Sequence, residues 1–200
     1  MRSKKASSQV LALEAQVQEL SQKLEHLQKV TLATMDSLDM ILGLGDFLPS
    51  INRLSSPEPI VKETLQQVGM LIPFQARGIC IVDEEDGDFI LNRVEPSQLR
   101  PRLADEMNAL IYQGVFSWAL REKRAVTVPG ITTPDRIVLH ALATSSRIRG
   151  MFIGIVAPEV DVIPDVRWSI LSIMLQFCAG NLESYELYRI LRDSNHTLSP

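Results

Sequence analysis

Apolar residues recur at alternating spacings of three and four along the first part of the chain. This heptad pattern predicts a long helix with a narrow apolar stripe. A helix that packs on its own domain usually has a wider apolar face, so the narrow stripe favours pairing with a second helix. We therefore predict that residues 1–50 form a coiled coil that joins two copies of the chain, with packing against its own domain as the alternative. The predicted interface residues are Val10, Leu13, Val17, Leu20, Leu24 and Leu27.

The end of this arm is marked by helix-breaking residues. Gly43, Gly45 and Pro49 predict a bend or an end of the long helix in that region. Few opposite charges flank the apolar stripe, so the sequence leaves the orientation of the coiled coil open. We expect a globular domain over residues 51–192 and a short tail over residues 193–200.

The composition of the chain excludes several classes of protein. Hydrophobic residues make up 46% of the 200 residues, which is too many for a disordered chain. The formal net charge of -4 argues against a nucleic-acid binder or a polybasic membrane binder. Cys80 and Cys178 are too few for a disulfide scaffold, and no apolar run reaches the roughly 18–20 residues that a membrane helix needs. We therefore expect a cytoplasmic protein that binds neither nucleic acid nor a membrane.

The globular part alternates helices with short strands, and Asp86-Gly87 is a hairpin signal between two of the strands. Tight hairpins force antiparallel pairing, so we predict an α+β fold with an antiparallel sheet of five or six strands. The helices at the two ends should cover one face of the sheet and the middle pair the other. Ser55 and Ser56 are predicted caps of the first helix. The predicted helices cover residues 57–72, 101–112, 115–122 and 165–191, and the predicted strands cover residues 78–82, 89–94, 125–128, 137–144 and 151–157.

Three stretches follow one another at residues 78–94, 114–130 and 136–158. Together they resemble the GAF domain, a small-molecule sensor module of bacterial signalling proteins. Residues 78–94 (GICIVDEEDGDFILNRV) resemble the opening hairpin of the family, and residues 114–130 (GVFSWALREKRAVTVPG) resemble its glycine, short helix and strand. Residues 136–158 (RIVLHALATSSRIRGMFIGIVAP) resemble its later hairpin, with Gly154 at the characteristic strand glycine. The resemblance implies a GAF-like fold preceded by a dimerising helix and followed by a signalling helix.

The resemblance also implies a ligand pocket between one face of the sheet and the middle helices. His140 could face that pocket and bind an anion or haem iron, or it could simply hydrogen-bond a neighbouring backbone group. Cys80 and Trp118 likewise have an alternative as ordinary packing residues. The candidate ligand-binding residues are Cys80, Phe116, Trp118, Thr127 and His140.

Catalytic motifs are missing from the sequence. It contains no phosphate-binding loop, no GxSxG elbow and no histidine followed by aspartate. We therefore expect a regulatory domain that is not an enzyme, has no metal site, and acts on a downstream effector domain or protein. The alternatives are a stand-alone dimerisation module with a degenerate pocket and a haem- or redox-linked GAF protein. The sequence identifies neither a cofactor nor a ligand.

Overall fold

The computed structural model describes residues 14, 16–25, 56–83, 86–160 and 162–197, with side chains described as far as residue 194. The chain divides into two units, Met1–Asp39 and Met40–Pro200. In the first unit, residues 14 and 16–25 are helical, and residues 16–25 are named α1. The exposed fractions of Val17, Leu20 and Leu24 are 62%, 65% and 58%.

The remaining predicted interface residues, Val10, Leu13 and Leu27, lie outside the described residues.

The second unit is built on one five-stranded sheet. Every neighbouring pair of strands is antiparallel, and the strand order is β2-β1-β5-β4-β3. The predicted antiparallel sheet is thus confirmed, with five strands. The strands are β1 (Phe74–Val82), β2 (Phe89–Glu95), β3 (Val126–Pro129), β4 (Arg136–Ala143) and β5 (Ile148–Val156).

Helices cover both faces of this sheet. The helices are α2 (Glu58–Leu71), α3 (Arg100–Tyr112), α4 (Val115–Glu122) and α5 (Asp165–Thr197), with a 3-10 turn at Ser97–Leu99. Side chains of α2 and α5 are buried in one apolar cluster with one face of the sheet, and side chains of α3 and α4 are buried in a second cluster with the other face. The predicted α+β arrangement, with the end helices on one face and the middle helices on the other, is confirmed.

The central strands supply both apolar layers because successive side chains point to opposite faces. In β4, Val138 and Leu142 join α2 and α5 in the terminal-helix layer, whereas Ile137 and Leu139 join α3 and α4 in the middle-helix layer. A strand that is covered on both faces needs apolar residues at nearly every position. This requirement explains the continuous apolar run of β5.

Gly154 has a steric role in the terminal-helix layer. A Cβ atom at this position would lie 2.7 Å from the ring of Phe74 and 3.1 Å from Cζ of Phe152. The two rings meet edge to face with their centroids 5.4 Å apart. Glycine at position 154 therefore makes room for this aromatic pair.

Several predicted boundaries differ from the observed ones, among them the start of β5, which lies at Ile148 and not at residue 151. The predicted serine caps of α2 are wrong, because Pro57 occupies the N-cap position and no side chain caps the helix. Strand β1 begins at Phe74, before the predicted Gly78, since Arg77 is accommodated by polar partners on α2 and β2. Helix α5 continues to Thr197, beyond the predicted end at Leu191.

Candidate functional site

The resemblance to the GAF domain implies a ligand pocket in the middle-helix layer. Leu103 and Leu110 of α3 and Phe116 of α4 are buried there against the sheet. A Cβ atom on Gly78 would lie 2.7 Å from Cδ2 of Leu103, so α3 approaches β1 closely. At these positions the chain's own side chains occupy the layer.

Cys80 lies on β1 in this layer and contacts α3. Its thiol donates to the sulfur of Met107 over 3.2 Å. Burial raises the pKa of the Cys80 thiol to about 12, and the charge of Arg100 only partly opposes this shift. A thiol with such a pKa stays protonated at neutral pH and is a poor nucleophile or metal ligand. The geometry thus favours the packing alternative for Cys80.

The two aromatic candidates on α4 have different surroundings. Phe116 is buried and meets Phe89 of β2 edge to face, with ring centroids 5.4 Å apart. Trp118 keeps 39% of its surface exposed and is not part of the buried cluster. Gly114, with a φ of 75°, lies before the helix, and this left-handed turn lets α4 follow α3 directly. Only Phe116 of this pair lines the middle-helix layer.

His140 and Thr127 lie on the opposite face of the sheet from Cys80 and Phe116. In β4, His140 alternates with Leu139, which points into the middle-helix layer, so His140 points towards α2 and α5. In β3, Thr127 alternates in the same way with Val126 and is exposed. The pocket expected between the sheet and the middle helices is here named the inner pocket. The suggestion that His140 faces it is therefore wrong, and the five candidates do not form one site.

The imidazole of His140 is buried and makes one hydrogen bond. Its Nδ1 lies 2.7 Å from the carbonyl oxygen of Ala141, whereas Nε2 has no partner within the described part of the chain. Burial lowers the pKa of His140, and the bond to Ala141 partly opposes this effect. A neutral ring that donates to a neighbouring carbonyl is the second of the two interpretations drawn from the sequence.

Sequence reasoning missed a buried carboxylate, Glu106, on α3. Its oxygens accept hydrogen bonds from the backbone N–H of Ile131 at 2.5 Å and of Thr132 at 3.0 Å, and also from the Thr132 hydroxyl. These bonds attach the loop between β3 and β4 to the middle of α3. One sequence signal was available, because Glu106 lies three residues after Leu103 and four before Leu110 on the buried stripe of that helix.

Two arginines at the start of α3 hold the same helix to the sheet. Arg102 donates to the side chain of Gln75 at 3.0 Å and pairs with Asp135 in the loop before β4. Arg100 donates to the carbonyl oxygens of Leu91 and Asn92 on the edge strand β2. Together with the bonds of Glu106, these contacts hold α3 against the sheet.

The C-terminal half of α5 is attached to the turn between β4 and β5. Arg149 pairs with Glu186 and lies 3.6 Å from Glu183, and the Ser146 hydroxyl donates to Glu183. Hydrogen bonds from Ser146 and then Thr144 lower the pKa of Glu183, with a smaller contribution from Arg149. The C-terminal half of α5 is thus linked electrostatically, near its start, to the hairpin of β4 and β5.

The described residues offer neither a group of metal ligands nor a membrane-spanning helix. Within them, no three His, Cys, Asp or Glu side chains are grouped so that they could hold a metal ion. None of their helices combines the length and the apolar character needed to cross a bilayer.

Solved structures share this fold at low sequence identity. A GAF domain of a protein named as a sensor histidine kinase from Pseudomonas syringae pv. tomato is 14% identical, with a TM-score of 0.60 over 83% of this chain and 97% of that one. The GAF domain of a phosphoenolpyruvate-protein phosphotransferase from Coxiella burnetii is 10% identical, with a TM-score of 0.57 over 77% of this chain and 96% of that one.

The corresponding domain of the Acinetobacter phosphotransferase is 12% identical, with a TM-score of 0.54 over 75% of this chain and 94% of that one. Neither the family models nor the characterised proteins gave a match to the chain. At these identities the likeness establishes the fold, and the second unit therefore has the fold of a GAF domain.

Proposed function

We propose that the chain is a non-catalytic regulatory module of the GAF type, which acts as a homodimer and passes its signal through α5. The observation that carries this proposal is the division of α5 into two unlike halves. Leu171, Leu175 and Cys178 in its first half are buried in the terminal-helix layer. Its last part presents apolar side chains to solvent, with exposed fractions from 47% to 60%. These residues are Leu187, Tyr188, Ile190 and Leu191.

Such a helix suits signal transmission. Movement of the sheet would reach α5 through the buried half and through the contacts of Arg149 with Glu183 and Glu186. The exposed apolar end would contact the second copy of the chain, or a downstream effector domain or protein. A structurally similar domain belongs to a protein named as a sensor histidine kinase, which supports this role by analogy of fold alone.

The packing of the middle-helix layer favours a module whose inner pocket is degenerate. A ligand between the sheet and α3 would have to displace Leu103, Met107 or Phe116, all of which are buried there. It would also have to break the bonds of Glu106 to the loop before β4. The haem alternative has no support in this layer, because His140 points to the other face.

Dimerisation through the N-terminal arm is the part of the proposal that a matched pair of variants can test. Leu20→Asp with Leu24→Asp places two carboxylates in the apolar stripe, where burial of unpaired charge costs several kcal/mol. Gln18→Asp with Gln22→Asp adds the same charges between the stripe positions on the same helix. We expect light scattering to find a monomer for the leucine variant and a dimer for the glutamine variant.

The unfolding transition separates the arm from the globular domain. If the leucine variant remains folded and melts cooperatively, the stripe serves association. A leucine variant that loses the cooperative transition would show that the stripe belongs to the core of its own domain. A dimer that survives both double substitutions would contradict the proposed interface.

A further inference from the structure

A cleft of about 940 Å³ lies on the terminal-helix side of the sheet. Its walls are the end of β1, the turn between β4 and β5, and the C-terminal half of α5. We name it the outer cleft. This volume lies within the range of about 300–1,000 Å³ that is typical of small-molecule sites. It is separated from the middle-helix layer by the sheet itself.

The floor of the outer cleft is apolar. Ile81, Leu182 and Tyr185 line it and also pack on the terminal-helix layer. Ile148 and Ile190 extend this surface towards solvent, and both are about half exposed. A ligand with an apolar body would therefore bury hydrophobic surface that the chain alone leaves open.

The charged residues of the cleft are largely paired with acids in or beside it. Three arginines line it, Arg147, Arg149 and Arg189, against the two acids Asp83 and Glu186. Arg149 pairs with Glu186 and Glu183, and Arg189 lies 3.7 Å from Glu186. Arg147 is exposed, and within the described part of the chain its guanidinium forms no ion pair.

The backbone that carries Arg147 is held in place. The backbone N–H groups of Ser146 and Arg147 both donate to the Thr144 hydroxyl, at 3.3 and 3.2 Å. The N–H of Thr144 donates in turn to the carbonyl of Arg147 at 2.9 Å. This closed turn places a guanidinium at the rim of an apolar cleft, and a guanidinium binds carboxylates well because its donors match their geometry.

We propose that the outer cleft binds a soluble organic anion, with its carboxylate on Arg147 and its apolar body on the floor formed by Ile81 and Leu182. Such a ligand would contact both α5 and the turn that joins β4 to β5. One consequence of binding rests on the proposed regulatory function, namely that the ligand would stabilise one position of α5. The binding site itself rests on the volume of the cleft, its apolar floor and the exposed guanidinium of Arg147.

Nuclear magnetic resonance of the ¹⁵N-labelled full chain tests the site with matched probes. Octanoate and octylammonium have the same apolar body and opposite charge. We expect octanoate to shift the amides of residues 81–83, 147–149 and 182–190, and octylammonium to bind at least about tenfold more weakly. Equal binding of the two probes would overturn the proposal, as would octanoate shifts confined to Cys80, Met107 and Phe116.

A pair of charge reversals locates the carboxylate. Arg147→Glu should weaken octanoate binding by about tenfold or more. Arg124→Glu is the control, because Arg124 is exposed elsewhere and pairs only weakly with Glu122, at 3.5 Å. Equal weakening by both variants would reduce the effect to net charge and would overturn the proposal.

Octanoate binding tests the outer cleft, and the oligomeric state tests the proposed function, so the two proposals can fail separately. A dimer that does not bind octanoate would overturn the site and leave the regulatory module intact. Amides of the cleft that shift with protein concentration, without any octanoate binding, would overturn the site in favour of an interface between two copies. A monomer that binds octanoate in the cleft would retain the site and contradict the proposed dimer.

Discussion

The guanidinium of Arg77 occupies the space in which a side chain at position 69 would lie. A Cβ atom on Gly69 would be 2.3 Å from Cζ of Arg77. From this position, Nε of Arg77 donates to the carbonyl oxygen of Leu65 at 2.7 Å, and Nη2 donates to Glu95 at 3.0 Å. The arginine of β1 thus joins helix α2 to strand β2 across a glycine.

Gly69→Ala should therefore destabilise the protein, although alanine normally favours a helix over glycine by about 0.5–1 kcal/mol. The new methyl group would displace the guanidinium and weaken two charge-assisted hydrogen bonds, each contributing about 1.5–3 kcal/mol. We expect a net loss of about 1–2 kcal/mol in the free energy of unfolding, measured by urea denaturation.

Gly180→Ala is the matched control for this prediction. Gly180 lies in α5, and a Cβ atom there would meet nothing within 4 Å. The substitution should stabilise the protein by about 0.5–1 kcal/mol through helix propensity. A Gly69→Ala variant as stable as Gly180→Ala would contradict the steric role of Arg77.

Glu106→Gln should destabilise the loop between β3 and β4. The backbone N–H groups of Ile131 and Thr132 bond to different oxygens of the carboxylate. Glutamine would place an NH2 donor against one of these two N–H groups, so one of the bonds is lost. We expect a loss of about 2–3 kcal/mol and faster hydrogen exchange at those two amides. Asp105→Asn, at an exposed position of the same helix, should leave both measurements unchanged.

Both thiols should be protected, that of Cys80 in the middle-helix layer and that of Cys178 in the terminal-helix layer. Burial raises the pKa of Cys80 to about 12 and that of Cys178 to about 11, although the Thr64 hydroxyl partly opposes the second shift. Iodoacetamide at pH 8 should therefore label neither cysteine in the folded protein and both in urea. Rapid labelling of Cys80 in the native state would show that α3 opens, which would contradict a closed layer.

Because His140 is buried, the folded protein should lose stability at acidic pH. Because burial lowers its pKa in the folded state, the unfolded chain binds a proton first as the pH falls below the ordinary value of 6.5. The free energy of unfolding should then decrease with falling pH, by up to about 1.4 kcal/mol per pH unit from this group. His140→Leu should flatten the profile between pH 6.5 and 5. An unchanged slope in this variant would show that His140 is protonated without unfolding.

Local chemistry explains why some elements could be predicted from the sequence. Gly114 and the apolar residues after it predict helix α4 at Val115–Glu122, where it is found. The start of β1 was missed because Gln75 and Arg77 look unsuited to a buried strand. Their partners, Leu65, Glu95 and Arg102, come from distant parts of the chain.

The candidate site depended on tertiary information that periodicity does not hold. Strand alternation separates the side chains of β4 into two sets, but it does not say which set faces α3 and which faces α5. The sequence therefore left open which layer His140 faces, and the structure places it on the side of α2 and α5. The outer cleft was not predictable either, because its walls come from three separate segments around Ile81, Ile148 and Leu182.

The native mass spectrum of the full chain tests the proposed regulatory dimer most directly. We predict a species of twice 22.4 kDa at micromolar concentration. Dilution should release monomers, because the proposed contacts are non-covalent and both cysteines are buried. A spectrum that shows only the 22.4 kDa monomer under these conditions would contradict the proposal that the chain signals as a homodimer.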